Sequence, residues 1–205
     1  MLSKNKEGDD EMDTLVNFSG GIDSTYCLYE YLKNNSEKKL LVHFVSLRNA
    51  EGRLKYEQAA VAKVLQWLRS KKLDNFKMVY TGFDYGTMRY LIQDVEIIGF
   101  MSGVLLRNPR YSGVENIIVS ANAGDFLVGG YELRSARRKE IFKAVSKGRE
   151  VNYVYPIKDK TKKDLIQLMP KQLFDATWYC RKPTAVGKTC NKCRTCREVN
   201  EALSS

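Results

Sequence analysis

A glycine-rich stretch at residues 18–25 is the part of this chain best suited to holding a phosphate group. It reads Phe-Ser-Gly-Gly-Ile-Asp-Ser-Thr, comes directly after an apolar run and precedes a helical pattern at 25–33. Backbone N–H groups converge in such a strand-to-helix turn, and the helix dipole adds partial positive charge at the same point. The Walker pattern G-x-x-x-x-G-K-[ST] does not occur in the chain, so this turn is of another type.

Five residues of this turn could contact a phosphate directly. Gly20 and Gly21 allow a sharp turn and a close approach of the ligand to the backbone, because neither carries a side chain. Ser19, Ser24 and Thr25 can add hydroxyl donors. An ordinary strand-to-helix turn with a serine or aspartate cap is the alternative, but the position between a strand and a helix favours phosphate binding.

A second candidate site lies near the end of the chain, where four of the five cysteines fall within residues 180–196. Their spacing is C-x9-C-x2-C-x2-C, and the four are Cys180, Cys190, Cys193 and Cys196. Tetrahedral Zn²⁺ binds four thiolates at about 2.3 Å, and a C-x2-C turn presents two sulfurs to one ion. A closed shell of four thiolates leaves no open position, so the pattern predicts a structural rather than a catalytic zinc site.

An iron–sulfur cluster is the main alternative for these cysteines, since C-x2-C-x2-C also occurs in ferredoxin-type sequences. The long first gap and the intervals rich in lysine and arginine favour zinc over a cluster. Disulfides are disfavoured because we expect the chain in a reducing compartment. The fifth cysteine, Cys27, lies alone in the first predicted helix and is interpreted as a buried core residue.

These candidate sites are carried by strands and helices that alternate along the chain. Apolar, β-rich stretches predict strands at 14–18, 40–47, 77–81, 116–121 and 153–157. Helical periodicity predicts helices at 24–33, 56–69, 88–106, 135–147 and 162–168. The predicted fold class is therefore α/β, a Rossmann-like doubly wound parallel sheet with a small C-terminal zinc-binding region. Ligands of such sheets bind at the carboxyl ends of the strands, where the glycine turn lies.

Three local features carry expectations of their own. Thr161 and Asp164 have the spacing of a capping box at the start of the last predicted helix. Gly99 and Gly103 lie four residues apart and predict close packing of the third helix against the sheet. His43, the only histidine, falls in the middle of a predicted strand, so we expect a structural residue without a catalytic role.

The composition narrows the functions to consider. The chain has 205 residues, 43% of them hydrophobic, with a net charge of +10 and a pI near 9.3. The positive charge, dense at 134–139 and 158–163, suits nucleotides or a nucleic acid as partners. No apolar run approaches the roughly 20 residues that cross a membrane, and the polar start has no secretory signal. We therefore expect a cytoplasmic protein without a membrane partner.

The glycine turn resembles the pyrophosphate loop of the PP-loop ATP pyrophosphatases, whose signature is Ser-Gly-Gly-x-Asp-Ser. Enzymes of that family cleave ATP between the α and β phosphates and form an adenylated intermediate. The resemblance implies ATP and Mg²⁺ as cofactors, with the phosphates held by Ser19, Gly20, Gly21, Asp23, Ser24 and Thr25. It also implies a nucleotide-binding domain of the adenine nucleotide α-hydrolase type, which we place at 14–170. The polar, mostly charged stretch at 1–13 is predicted to be a flexible tail, and 171–205 is predicted to be the zinc-binding region.

Three further motifs, in the same order, are similar to the 7-cyano-7-deazaguanine synthase family, which makes the nitrile precursor of queuosine and archaeosine. Residues 118–134 resemble that family's G-x-N-x-x-D-x-x-G-Y-x-D-C-R segment, and 155–165 resemble its P-L-x-D-K-T-K element. Residues 176–180 and the cysteine triplet resemble T-W-S-C-Y followed by C-G-x-C-x-x-C. The resemblance covers nearly the whole chain, from residue 14 to about 203.

This resemblance implies roles for residues beyond the loop. Catalytic roles are implied for Asp23, Lys158, Asp159 and Lys160, the last three facing the phosphates or the acyl group. Substrate-binding roles are implied for Asp125, Tyr131 and Arg134. The end of the second predicted strand would border the adenine ring, and the four C-terminal cysteines would bind zinc.

The implied activity is that of a ligase forming carbon–nitrogen bonds. It would adenylate 7-carboxy-7-deazaguanine and convert it with ammonia to 7-cyano-7-deazaguanine (preQ0), for deazapurine modification of tRNA or DNA. A homodimer and a nucleic-acid partner are left open as secondary expectations.

Two departures from the family pattern keep other functions open. Tyr179 stands where the family has a serine, and 93–99 lacks the family's Val-Pro-x-Arg-Asn element. A diverged enzyme that adenylates another carboxylate, or a base within a nucleic acid, is therefore the first alternative. A non-catalytic, zinc-bearing nucleic-acid-binding module is the second, although the glycine loop retains its complete motif.

Overall fold

Five strands form one sheet within residues 12–49, 51–86, 94–127 and 130–204, the part of the chain that the computed structural model describes. The strands are β1 (Thr14–Asn17), β2 (Leu40–Arg48), β3 (Phe76–Asp84), β4 (Asn116–Ile118) and β5 (Asn152–Val154). The helices are α1 (Ile22–Asn34), α2 (Leu54–Ser70), α3 (Asp94–Leu105), α4 (Ala123–Leu127), α5 (Tyr131–Val145), α6 (Lys162–Leu168), α7 (Lys171–Asp175) and α8 (Arg194–Ser204).

The order of the strands places a ligand-binding crevice beside β1. All neighbouring strands run parallel, in the order β3-β2-β1-β4-β5. The chain moves outward from β1 to β3 and then returns to the other side of β1 to form β4 and β5. The order therefore reverses between β1 and β4, and such a switch point opens a crevice at the carboxyl ends of the strands.

The centre of the sheet is buried on both faces, which explains the continuous apolar run of β1. Leu15 and Val16 are both fully buried, although consecutive side chains of a strand point to opposite faces. Val16 packs with residues of α1, α2 and α6, whereas Leu15 packs in a second cluster that includes Phe142 of α5. Burial of each such side chain contributes about 1.5–3 kcal/mol. The predicted doubly wound α/β class is confirmed.

The predicted elements are present with shifted boundaries. Each of the five predicted strands and five predicted helices has a counterpart, although 88–93 of the third helix and 1–11 of the predicted tail lie outside the described residues. Helices α4, α7 and α8 were not predicted, because two of them are only five residues long and α8 begins among the clustered cysteines. No helix in the described ranges is both long and apolar enough to cross a bilayer.

Two local expectations have different outcomes. The capping box of α6 is confirmed, because the Asp164 N–H donates to Thr161 Oγ1 at 3.2 Å and the Thr161 N–H donates to the Asp164 carboxylate at 2.7 Å.

The expectation that Gly99 and Gly103 pack on the sheet is wrong, since both face α5. A Cβ on Gly99 would lie 2.9 Å from the backbone oxygen of Arg138. The glycines therefore allow α3 and α5 to pack closely side by side.

His43 is fully buried in β2. Its Nε2 lies 2.7 Å from the Thr81 hydroxyl of the neighbouring strand β3. Burial lowers the pKa of His43 to about 4, because the imidazolium form would lose its hydration. The ring is therefore neutral at pH 7.

We expect the free energy of unfolding to fall as the pH drops from about 6.5 to about 4. In the unfolded chain His43 has its ordinary pKa, whereas in the folded chain protonation is delayed to about 4. Unfolding therefore takes up a proton in this window, and acid favours the unfolded state by an amount on the order of 2–3 kcal/mol. Urea unfolding across the window measures the effect. Because the chain has a single histidine, His43→Leu should make the profile shallower in this window, and an unchanged profile would contradict the assignment.

Candidate nucleotide-binding cleft and cysteine centre

A cleft of about 550 Å³ opens at the carboxyl ends of β1 and β4. The loops after these two strands form its centre, and α3 and α5 contribute to its walls. This is the switch point of the sheet, where α/β proteins bind ligands. The predicted site residues that line the cleft are Ser19, Gly21, Asp23, Ser24, Asp125, Tyr131 and Arg134.

The glycine loop is shaped by Gly20, whose φ of +73° lies in the left-handed region. A Cβ at this position would lie 2.9 Å from the backbone nitrogen of Val61 in α2, so no side chain fits there. Gly21 follows as the N-cap of α1, and no side chain caps the first turn of this helix. Uncapped N–H groups at a helix start, with the positive end of the dipole, form a donor set for an anion.

Gly20→Ala is expected to lower the free energy of unfolding by at least about 2 kcal/mol, because alanine pays roughly 1–2 kcal/mol for the left-handed region and its methyl group would meet α2. Gly21 is the matched control. Its φ of −78° is ordinary, and the nearest obstacle to a Cβ is the Ser19 hydroxyl at 3.3 Å, which can rotate away. Gly21→Ala should therefore cost less than about 1 kcal/mol. If urea unfolding showed equal losses of unfolding free energy in Gly20→Ala and Gly21→Ala, this geometry of the loop would be wrong.

The hydroxyl groups of the loop have two different environments. Ser19 Oγ and Ser24 Oγ lie 3.2 Å apart, and the Ser24 hydroxyl is also within 3.3 Å of the Gly21 carbonyl. The two serine hydroxyls therefore stabilise the turn that faces the cleft. Thr25 is fully buried and does not line the cleft, so the structure does not bring it to the other loop residues. Its phosphate-binding role stays a prediction.

Asp23, in the first turn of α1, is held by two neighbours. Lys162 Nζ lies 2.6 Å from both carboxylate oxygens of Asp23, and Asn122 Nδ2 donates to Oδ1 at 3.1 Å. Lys162 is only 9% exposed and is the first residue of α6. A cation at a helix N-terminus is unfavourable, because the positive end of the helix dipole lies there. The negative Asp23 carboxylate offsets this repulsion. The starts of α1 and α6 and a buried ammonium group therefore meet beside the glycine loop.

The sequence patterns did not indicate Lys162, although they indicated its neighbours Lys158, Asp159 and Lys160. Lys158 and Asp159 are exposed, Lys160 is partly exposed, and none of the three lines this cleft. Their catalytic roles stay predictions, whereas Lys162 is the residue of this segment that the structure brings to the loop. The sequence did contain a signal, because a lysine at the first position of a capped helix is unfavourable unless a carboxylate lies nearby.

The other end of the cleft is formed by α4 and α5. Burial raises the pKa of Asp125, and the N–H of Asn122, which donates to the Asp125 carboxylate at 3.1 Å, opposes this rise. The Tyr131 ring contacts Phe126 with 4.2 Å between centroids, and burial raises the pKa of Tyr131 to about 12. Arg134 is partly exposed, three residues further along α5. A carboxyl group, a phenol and a guanidinium thus line one end, a combination that can bind a planar polar molecule.

The four C-terminal cysteines form one group, with sulfur atoms that all lie within 4.8 Å of one another. Cys190 Sγ and Cys196 Sγ are 3.9 Å apart, close to the roughly 3.8 Å between ligands of a tetrahedral ion with bonds of about 2.3 Å. The Cys190 N–H donates to Cys180 Sγ at 3.2 Å. Backbone N–H groups of Lys192 and Cys193 point to Cys190 Sγ and lower its pKa to about 6. The group therefore suits one tetrahedral metal ion.

Trp178 joins the cysteine group to the glycine loop. Its backbone N–H donates to the Gly20 carbonyl at 2.9 Å, and its indole Nε1 donates to the Cys180 carbonyl at 2.9 Å. The ring stacks on Tyr56 of α2, with 4.6 Å between centroids. The position of the loop therefore depends on the chain that leads into the first cysteine.

Two arginines beside the cysteines reach opposite walls of the cleft. Arg181 lies 3.3 Å from the Glu51 carboxylate and 3.2 Å from that of Asp94, the first residue of α3. Arg194 donates to the Gly124 carbonyl of α4 at 3.0 Å. Both arginines line the cleft, and neither was predicted from the sequence. Arg194 also pairs with Glu198 one turn further along α8, at 2.6 Å. The contacts that reach the walls of the cleft join residues far apart in the chain, so no local pattern indicates them.

Comparison with known proteins supports the same fold. A U34-tRNA thiolase, NcsA from Methanococcus maripaludis, solved with its [4Fe-4S] cluster, matches with a TM-score of 0.52 and 11% sequence identity. The match covers 95% of this chain and 65% of that chain, so the protein spans slightly less than two thirds of the neighbour's length. No family model and no curated protein matches the sequence. At this identity the likeness concerns the fold alone.

Proposed function

We propose that the protein is an ATP-dependent enzyme of the PP-loop type, which adenylates an oxygen atom of an acceptor held in the same cleft. The observation that carries the proposal is the meeting of the glycine loop, the start of α1 and the Lys162–Asp23 pair. Uncapped helix amides and a buried ammonium group are suitable donors for a triphosphate. The solved neighbour that shares this fold is a tRNA thiolase, which supports an enzyme acting on a nucleobase.

The acceptor that we propose is 7-carboxy-7-deazaguanine, converted with ammonia to 7-cyano-7-deazaguanine. The Asp125 carboxylate could accept hydrogen bonds from the ring N–H and the amino group, and Arg134 could pair with the carboxylate of the acceptor. The ring would contact Tyr131 at the same end of the cleft. The three sequence motifs shared with the 7-cyano-7-deazaguanine synthases support this choice.

The reaction needs no protein nucleophile. A carboxylate resists attack by ammonia because it is anionic and oxide is a poor leaving group. Attack of a carboxylate oxygen on the α-phosphorus of ATP releases pyrophosphate and forms an acyl adenylate; ammonia then displaces AMP, losing a proton, to give the amide. A second adenylation at the amide oxygen releases a second pyrophosphate, and loss of AMP and of both protons of the amide nitrogen then gives the nitrile. Lys162 and the first amides of α1 would stabilise the departing pyrophosphate.

Mg²⁺ and Zn²⁺ are the proposed metal cofactors. The carboxylates of Asp23 and Asp125 offer the oxygen ligands that Mg²⁺ prefers, and the ion would neutralise phosphate charge when it enters with ATP. The four cysteines would hold Zn²⁺ in a closed shell, which would keep Trp178 against the glycine loop. The short sulfur separations favour one ion over a four-iron cluster, since a cluster holds its thiolates farther apart.

A product assay tests this proposal directly. The protein would be incubated with ATP, Mg²⁺, ammonium and 7-carboxy-7-deazaguanine, with pyrophosphate release followed over time and products identified by mass. We expect pyrophosphate, AMP, the amide and then the nitrile, all lost in Asp23→Ala. Pyrophosphate release with a different carboxylate alone would overturn the acceptor, and no release with any acceptor would overturn the adenylation itself.

A further inference from the structure

The arginines that line the cleft fall into two groups according to their ion pairs. Arg53, Arg181 and Arg194 each pair with at least one carboxylate of the protein. Arg134 and Arg138 of α5 also line the cleft, but no carboxylate of the described ranges forms an ion pair with either of them. Their two charges therefore remain available to an anionic group of a ligand.

Arg134 and Arg138 lie one turn apart on the same face of α5. Two like charges at this spacing disfavour the helix slightly, and an anion that contacts both would relieve the repulsion. Arg137, the residue between them in space and sequence pattern that would most simply compete for such an anion, pairs instead with the buried Glu96 of α3 at 2.8 Å. The cleft-facing pair is therefore separate from the ion pair that joins the two helices.

The Arg138 guanidinium is held in place by groups that do not neutralise it. Its Nη2 donates to Ser135 Oγ at 3.2 Å and to the Tyr155 hydroxyl at 3.3 Å. Its stem packs on α3, since a Cβ on Gly99 would lie 2.8 Å from Arg138 Cγ. Within the part of the chain that the structure describes, Nη1 donates no hydrogen bond. A fixed, partly buried cation with a free donor is preorganised for a ligand oxygen.

Tyr131 lies near both charged groups at this end of the cleft. Burial raises the pKa of its phenol to about 12, the Asp125 carboxylate adds to the rise, and the Arg138 guanidinium opposes it. The buried hydroxyl has no hydrogen-bond partner in good geometry among the described residues. A planar ligand that contacts Tyr131 can therefore meet a carboxylate with its donor groups and a guanidinium with its acceptor groups.

We propose that Arg138 acts with Arg134 as a clamp for the oxygen-bearing edge of the acceptor, and that Arg138 determines specificity at this end of the cleft. The inference rests on the proposed function, since it assigns a further binding residue to the same acceptor. In 7-carboxy-7-deazaguanine the 6-oxo group stands between the 7-carboxylate and the ring N–H that Asp125 would bind. Arg134 would hold the carboxylate, and Arg138 would bind the 6-oxo oxygen together with the nearer carboxylate oxygen. A guanidinium binds two neighbouring acceptors on this edge of guanine in the same way.

Titration calorimetry with two ligands, 7-carboxy-7-deazaguanine and 7-deazaguanine, tests the clamp without any reaction. Arg138→Met should weaken binding of the carboxylated ligand at least about tenfold, because charge-assisted hydrogen bonds are lost. The loss for 7-deazaguanine, which keeps only the 6-oxo group, should be smaller, about threefold. In the pyrophosphate assay the KM for the acceptor should rise in parallel, while the KM for ATP should stay within about twofold of that of the wild type.

Two further variants make the test specific. Lys139→Met removes the same charge from the next residue of α5, which is exposed and lies outside the cleft lining, and it should leave both affinities nearly unchanged. Arg138→Lys keeps the charge and most of the stem but lacks the planar fork, so it should recover only part of the affinity for the carboxylated ligand. If Arg138→Met does not fold, as urea unfolding would show, Arg138→Lys provides the same comparison of the two ligands.

The outcomes separate this inference from the proposed function. If 7-carboxy-7-deazaguanine is converted and Arg138→Met leaves its affinity unchanged, or weakens both ligands equally, the clamp is wrong and the proposed function stands. If another planar carboxylate drives pyrophosphate release, and its KM rises at least about tenfold in Arg138→Met but not in Lys139→Met, the clamp stands and the proposed acceptor fails. If no carboxylate binds or reacts, both are wrong.

Discussion

Replacing Lys162 with methionine is expected to lower the rate of ATP-dependent pyrophosphate release by roughly 10²–10³-fold, the usual effect of losing one preorganised donor at a developing charge. The Lys162 ammonium lies 2.6 Å from both oxygens of Asp23 and is only 9% exposed. Without it, the Asp23 carboxylate would stand uncompensated beside the loop and repel an incoming triphosphate. A continuous pyrophosphate assay gives kcat and KM for ATP.

Lys163 provides the matched control for this substitution. It is the next residue of α6, it is exposed, and it lies outside the cleft lining, so Lys163→Met should change the rate by less than about twofold. Because Lys162 and Asp23 contact each other, adding Asp23→Asn to Lys162→Met should cost much less than the product of the two single effects. If Lys162→Met retains most of the wild-type rate, the proposed phosphate site is wrong.

Removing one cysteine ligand is expected to abolish metal binding and to lower the free energy of unfolding by at least about 4 kcal/mol, since loss of a structural metal is among the largest single effects. Cys190→Ala is the preferred variant, because Cys190 is partly exposed and its own packing contributes little. ATP affinity should fall as well, since Trp178 donates both to the Gly20 carbonyl and to the Cys180 carbonyl.

Cys27 serves as the control for this prediction. It is buried in α1, away from the other four cysteines, and Cys27→Ala should keep one metal ion per chain while it lowers stability modestly. Elemental analysis of the purified protein also identifies the metal, with zinc expected and iron pointing to a cluster. Full stability and full ATP affinity in metal-free Cys190→Ala would show that the centre does not support the loop.

The parts of the fold that follow from local pattern were predictable. The alternation of apolar strand and helix patterns indicated the parallel sheet. The continuous apolar run of β1 was enough to indicate that this strand is buried on both faces. The packing partner of Gly99 was not predictable, because a small residue shows that something approaches closely but not which element does. The short α4 and α7 gave too little periodicity to detect.

The candidate site, like the fold, could be predicted from the sequence only in part. Two compact motifs, the glycine loop and the spaced cysteines, were visible in the sequence because each is a chemical unit within a short span. Tertiary structure decided that Lys162 is the lysine which reaches Asp23, 139 positions away, while Thr25 turns into the core. The reason is physical: spacing along a chain determines what one segment can present, whereas the order of strands in the sheet determines which segments meet at their carboxyl ends.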